Sequence, residues 1–301
     1  MKKLFFILSA SFTVAWSATA QNMQQLKTYT AFIYVKGDTS LVPKATCFFV
    51  GINPNKDSTK YDTYLITAKH NLRYNDVSFY DSVYIRVNDK RLRSVFIHIK
   101  LTPDGKEKNV YFNKDASVDL AVIPLKLGWD TLAAGYLHPY YLNLTKKDDF
   151  NKFQIRQGTD IFYIGLFDWY QGVKQLEPIV RFGKIAMIPK ASLIINRQKI
   201  DLMLIDCREY GSSEGAPVYC KFPANDGKSS HLLLAGVVCG YFRATDNAGI
   251  DTNILNSPIN NDGITCVVPV YQLRDILYGE ELRQYREKQG KTYMIKLQTP
   301  R

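Results

Sequence analysis

The sequence has few of the residues that build metal and redox centres. It contains 5 Cys and 4 His in 301 residues. There is no C-x-x-C pair and no H-E-x-x-H, and His70, His98, His138 and His231 lie far apart in the chain. No metal site and no cofactor is therefore expected. The odd number of cysteines leaves at least one thiol unpaired. Among Cys47, Cys207, Cys220, Cys239 and Cys266 the pairings Cys239–Cys266 and Cys207–Cys220 are open, as are five free thiols. After residue 20 no apolar run approaches the ~20 residues that span a bilayer, so no transmembrane anchor is expected. Lys and Arg are scattered and no nucleic-acid module signature occurs, so no nucleic-acid partner is expected. There is no alternation of strand and helix patterns, which excludes a doubly wound parallel sheet.

What the chain does have begins with a leader. Lys2 and Lys3 precede a mostly apolar stretch from Leu4 to Trp16, and Ala18-Thr19-Ala20 supplies small residues at a cleavage site. That is the pattern of a secretory signal peptide cut after Ala20, and it predicts a secreted or periplasmic protein. The formal charge is +11, and setting aside Lys2 and Lys3 leaves +9. A basic balance of this kind suits a solvated surface and also permits an anionic polymer as partner.

The 20 Tyr and 16 Phe suit β-structure, and short runs of Val, Ile, Phe and Tyr recur between polar turns. Strands are predicted at Tyr29–Val35, Thr46–Ile52, Tyr64–Ala68, Ser82–Val87, Val95–Ile99 and Leu120–Leu125. A second set follows at Asp160–Ile164, Ile179–Ile188, Leu202–Ile205, Ala216–Tyr219, Leu232–Cys239 and Thr265–Val268. Six and six predict an all-β fold of two packed antiparallel six-stranded barrels. The expected layout is a first barrel over 28–126, a connection over 127–157 and a second barrel over 158–269. Leu273, Ile276, Leu277 and Leu282 recur at helical spacing among charges, which predicts a C-terminal helix over 270–289.

Three segments bear on chemistry. Tyr64-Leu65-Ile66-Thr67-Ala68-Lys69-His70 ends a strand on a histidine, after an earlier strand carrying Ala45-Thr46-Cys47-Phe48. Val118-Asp119-Leu120-Ala121-Val122 opens a strand on a carboxylate. Gly211-Ser212-Ser213-Glu214-Gly215-Ala216-Pro217-Val218 is a small-residue turn. In this order the three resemble the base, orienting-acid and nucleophile segments of the trypsin-like serine peptidases. The earlier strand has Ala and Cys where that family usually has Gly. The likeness extends over residues 28–285 and implies the family's two-barrel fold, a peptide or protein substrate, and His70 as base with Asp119 as its orienting carboxylate.

The chemistry explains why such residues would be needed. A serine hydroxyl attacks an amide only when an imidazole takes its proton, and a carboxylate fixes the imidazole tautomer. Two backbone N–H groups must then hold the oxyanion.

The nucleophile turn admits two registers. Counting forward from Gly211 makes Ser213 the nucleophile, with Gly211 and Ser213 as oxyanion donors and one extra residue before Pro217. That register predicts a serine endopeptidase working through an acyl-enzyme. Counting back from Pro217 puts Glu214 in the nucleophile's place and Ser212 where the oxyanion glycine would be. That register predicts a catalytically inactive pseudoprotease serving as a peptide- or protein-binding module. In either case the resemblance assigns the substrate-binding strand to Val237, Val238, Cys239, Gly240 and Tyr241. It places the base of the specificity pocket near Cys207 and Arg208, with Glu209 close by.

Overall fold

The computed structural model describes residues 23–52, 61–105, 107–137, 142, 146–195, 198–208, 211–223, 230–243 and 261–297. The leader, His138 and Glu209 lie outside the described residues.

The first half is an antiparallel sheet. Its strands are β1 (Thr30–Lys36), β2 (Leu41–Ile52), β3 (Asp62–Thr67), β4 (Ser82–Asn88), β5 (Ser94–Lys100), β6 (Tyr111–Phe112) and β7 (Ala121–Leu125). They pair in the order β5-β4-β1-β2-β3-β7-β6. Seven strands stand where six were predicted, because β6 is a two-residue pairing too short to leave a periodic signal.

The second half is a closed barrel of six strands in the order β12-β15-β14-β13-β8-β9. They are β8 (Asp160–Gly165), β9 (Ile179–Met187), β12 (Met203–Asp206), β13 (Pro217–Pro223), β14 (Ser230–Arg243) and β15 (Asn261–Pro269). A short hairpin, β10 (Leu193–Ile195) and β11 (Gln198–Ile200), stands outside the barrel. The connecting stretch holds one short helix, α1 (Lys147–Lys152).

β2 shows why the halves pack. Its run Cys47-Phe48-Phe49-Val50 is fully buried. Successive side chains point to opposite faces of a strand. Cys47 and Phe49 join Leu65, Ile85 and Ile123 in a core within the first sheet. Phe48 and Val50 turn the other way, into a core shared with Tyr163, Val218, Val237 and Val267 of the barrel. A strand covered on both faces reads as unbroken apolar sequence rather than alternation. Each fully buried aromatic contributes roughly 1.5–3 kcal/mol, so this strand ties the two halves together.

The expected terminal helix is two helices, α2 (Val270–Leu277) and α3 (Glu280–Leu297). α2 buries Val270, Leu273, Ile276 and Leu277 along one face. The break falls at Gly279, where a Cβ would lie 2.5 Å from the Asp275 carbonyl oxygen. α3 returns over the first half, with Leu282 buried. Arg286 donates to the Tyr64 hydroxyl at 3.2 Å and to the Leu277 carbonyl at 2.7 Å.

Candidate functional site

His70 and Asp119 are 49 residues apart, and strand pairing brings them together. β3 and β7 run antiparallel with Thr67 opposite Ala121. The residues just after β3 and just before β7 therefore emerge at the same end of the sheet. His70 lies there in a short 3₁₀ turn, Lys69–Leu72. Its backbone N–H donates to Asp119 Oδ1 at 3.0 Å, and its Nδ1 lies 2.5 Å from Asp119 Oδ2. The structure thus brings His70 and Asp119 into direct contact.

The other side of the imidazole meets the 211–217 turn. Glu214 Oε2 lies 2.6 Å from His70 Nε2. Ser213 does not face the histidine. It is fully buried, and its hydroxyl points to the Leu166 carbonyl oxygen at 3.4 Å. Of the two sequence registers, the turn adopts the one counted back from Pro217. The forward register, which set Ser213 against His70, is corrected on this point.

The physical reason is a lattice of buried hydrogen bonds behind the turn. Thr46 lies in β2, between the Ala45 and Cys47 that stand where the resemblance led one to expect glycine. Its hydroxyl donates to the Ser212 carbonyl at 2.9 Å and accepts from the Leu166 N–H at 2.9 Å. The Thr46 N–H donates to the Glu214 carbonyl at 3.1 Å. Asn71 adds a second donor to that carbonyl at 3.0 Å, and the Thr67 hydroxyl donates to the Thr46 carbonyl at 2.8 Å. From the barrel side, Gly215 N–H donates to the Val238 carbonyl at 2.8 Å.

Gly215 has φ +90°, and a Cβ there would lie 2.1 Å from Thr46 O and 2.4 Å from Thr67 Oγ1. Only glycine fits that conformation and that space. Sliding the turn by one residue would bring a side chain into this contact. The turn Gly211–Ser213 is one turn of 3₁₀ helix, and the Ser212 carbonyl is committed to Thr46. Thr46, Thr67 and Asn71 escaped the sequence reading as site residues. The signal was present in Thr46, a hydroxyl amid an apolar strand, and in Asn71, directly after the histidine.

The electrostatics follow from the geometry. Burial alone would lower the pKa of His70. The charges of Asp119 and Glu214, and a hydrogen bond from each, overcome it and hold the pKa well above the ordinary value. Burial likewise opposes ionisation of Asp119, but the His70 charge and its hydrogen bonds keep that carboxyl below its ordinary range. Ionised carboxylates only accept hydrogen bonds, so an imidazole held between two of them carries protons on both nitrogens. Lys44 is also near: burial lowers its pKa, and the Glu214 charge partly offsets this.

Val237, Val238, Cys239, Gly240 and Tyr241 all lie on β14 beside the turn. Opposite β15, Val238 pairs with Val267 and Gly240 with Cys266, so Cys239 is an extra residue at a bulge. Beyond Val237 the pairing of β14 with β13 ends. The Cys239 sulfur contacts the Cys266 carbonyl oxygen at 3.4 Å. Burial, then Cys266 and the carboxylates of Asp119 and Glu214, raise its pKa well above the ordinary thiol value. All five cysteines are free thiols, and neither open disulfide pairing is formed. Burial pushes the Cys220 thiol up to about 12. Cys207 is buried, while Arg208 is exposed with its carbonyl accepting from the Tyr163 hydroxyl at 2.9 Å. Among the described residues no group of three or more His, Cys, Asp or Glu could hold a metal ion. No helix among them is long and apolar enough to cross a membrane.

No protein-family model and no curated protein sequence matches the chain. Among solved structures it is similar to the MamO protease domain from Magnetospirillum magneticum in its apo form. The identity is 15%, covering 83% of this chain and 96% of that chain, with a TM-score of 0.47. At that level the likeness concerns the path of the chain and carries nothing about activity.

Proposed function

We propose that this protein is a pseudoprotease: a fold of trypsin-like layout whose cleft binds extended peptide or protein segments without cutting them. One observation carries the reading. The Glu214 carboxylate occupies the hydrogen-bonding position on His70 Nε2 that a serine nucleophile would need. A general base must have a lone pair to accept a proton. His70, donating to Asp119 on one side and Glu214 on the other, has none to offer. The hydroxyl of Ser213 lies on the far side of the turn, against Leu166. The serine endopeptidase reading would require the turn to slip past Gly215, against its contacts with Thr46 and Thr67.

The binding half of the proposal rests on β14. The Val238 N–H and carbonyl are taken by Ala216 and Gly215, and past Val238 the edge no longer pairs with β13. An extended segment could add there by main-chain hydrogen bonds, the mode of β-augmentation.

The test combines labelling with binding. A fluorophosphonate probe is expected to leave the protein unlabelled, and fluorescein-labelled casein peptides are expected to bind and remain intact. Ser213→Ala should change neither result. Labelling or cleavage that disappears in Ser213→Ala would overturn the inactive reading. Absence of any peptide binding by the folded protein would overturn the binding half.

A further inference from the structure

The loop between β8 and β9, from Leu166 to Pro178, is held firmly along its inner edge. Buried Arg86 donates to the Gly172 carbonyl at 2.7 Å. The Tyr34 hydroxyl donates to Gln171 Oε1 at 2.6 Å. Asn88 exchanges two hydrogen bonds with the backbone of Leu176, at 3.1 and 2.7 Å. The Ser94 N–H donates to the Lys174 carbonyl at 2.8 Å, which joins this loop to the β4–β5 hairpin.

The outer edge is apolar and stands in solvent. Trp169 is 86% exposed and Val173 is 85% exposed, with Tyr170 also exposed between them. The hairpin alongside presents Leu92, 56% exposed, among the exposed Lys90, Arg91 and Arg93. Scattered apolar residues at a surface need no explanation, but Trp169, Tyr170 and Val173 fall close together on one anchored loop, the kind of clustering that marks an interaction site. A loop anchored this way keeps its backbone in place, and among the described residues none covers its tip.

We propose that this face docks on an anionic lipid surface. Indole and phenol rings combine an apolar body with a polar edge and settle at the headgroup level of a bilayer. Trp169, Tyr170, Val173 and Leu92 supply the inserting tips. Lys90, Arg91 and Lys174 lie around them and favour anionic headgroups. Arg93 is engaged by Asp89, at 2.9 and 2.7 Å. Asp168 and Glu177 reduce the local positive charge, so insertion of the apolar tips carries more of the binding than attraction does. The formal charge of +9 that remains without Lys2 and Lys3 favours the same surface.

The test is co-sedimentation of the chain from Gln21 onward, which holds every described element. It uses vesicles of equal parts phosphatidylglycerol and phosphatidylcholine, against phosphatidylcholine alone. The protein is expected to sediment with the anionic vesicles and several-fold less with the neutral ones. Trp169→Ser with Val173→Ser should weaken binding on the order of tenfold, with an unchanged melting temperature because both side chains are exposed. Lys90→Glu, Arg91→Glu and Lys174→Glu together should lower binding to the anionic vesicles several-fold, to about the level seen on the neutral ones. Tryptophan emission should shift to the blue on the anionic vesicles, and Trp169→Phe should abolish the shift. Three results would each overturn the proposal: no sedimentation of the parent, equal sedimentation of the double variant, or an unshifted emission. Self-association that the double variant abolishes, without vesicle binding, would instead assign the face to a second copy of the chain.

Discussion

The two walls on either side of the His70 imidazole differ in what holds them in place. The wall built by the first sheet carries His70 and Asp119, with both carboxylate oxygens of Asp119 turned to the histidine. The wall built by the barrel carries the 211–217 turn, with the Glu214 carboxylate facing the ring and the Ser213 hydroxyl facing Leu166. The first wall is held by strand pairing, so its geometry survives whatever stands across from it. The second is held by side-chain hydrogen bonds to Thr46 and Asn71, so its geometry depends on individual residues. The histidine and the two carboxylates form a three-member charge cluster, with side chains 19%, 27% and 7% exposed for His70, Asp119 and Glu214.

The comparison is tested most severely by removing the shared cation. His70→Ala leaves two carboxylates facing each other in a partly buried site. We expect a loss of about 3–5 kcal/mol, the usual cost of breaking a buried ion pair from one side, measured by urea unfolding at neutral pH. A loss below ~1 kcal/mol would mean the cluster contributes little beyond a surface pair.

Next is the device that holds the second wall. Thr46→Ala strands the Ser212 carbonyl and the Leu166 N–H in a buried position. Each unsatisfied group costs about 1–3 kcal/mol, so a loss of roughly 2–4 kcal/mol is expected. Thr46→Ser should recover most of it. If Thr46→Ser is as damaging as Thr46→Ala, packing of the methyl group and not the hydroxyl holds the turn.

A smaller effect is read from pH. The folded pKa of His70 is raised, so its contribution is complete below its unfolded value of about 6.5 and is lost as pH rises through the folded value. Asp119 has a lowered folded pKa, so its contribution is present above its ordinary value of 3.8 and is lost as pH falls through the folded value. Stability should therefore be greatest between about pH 4 and 6.5 and decline on the alkaline side. Glu214→Gln should reduce that alkaline decline and cost on the order of 1 kcal/mol at pH 6. An alkaline arm unchanged in Glu214→Gln would detach Glu214 from the histidine's titration.

The smallest expected effect is the most pointed. Ser213→Ala should alter stability by no more than about 1 kcal/mol, because its hydroxyl makes one long contact with Leu166. It should not touch peptide binding. A large change in either would give Ser213 a role that its position against Leu166 does not explain.

Much of the fold was readable because its signals are local. The twelve strands inferred from runs of Val, Ile, Phe and Tyr are all strands in the structure, with ends shifted by a few residues. β2 begins at Leu41 rather than Thr46, because its pairing with β1 runs on through Pro43 across a bulge. The helix break at Gly279 and the short strand β6 were missed for a related reason. One lies at Gly279, where any side chain would meet the Asp275 carbonyl, the other depends on a partner in β7, and neither leaves a periodic trace. His70 and Asp119 were legible because each sits at the end of a strand with a distinctive flanking sequence. Thr46, Thr67 and Asn71 were not singled out, because their partners are remote in sequence: Thr46 and Ser212 are 166 positions apart.

The amino acids in order were enough to determine a two-part β protein, the histidine and carboxylate of its cleft, and a turn that would close on them. They could not determine which residue of that turn meets the imidazole, since glycine at one end and proline at the other count to different answers. Folding decided it through steric exclusion: at residue 215 the backbone lies so close to β2 and β3 that only a hydrogen fits in place of a side chain. That anchor sets the preceding carboxylate against the ring.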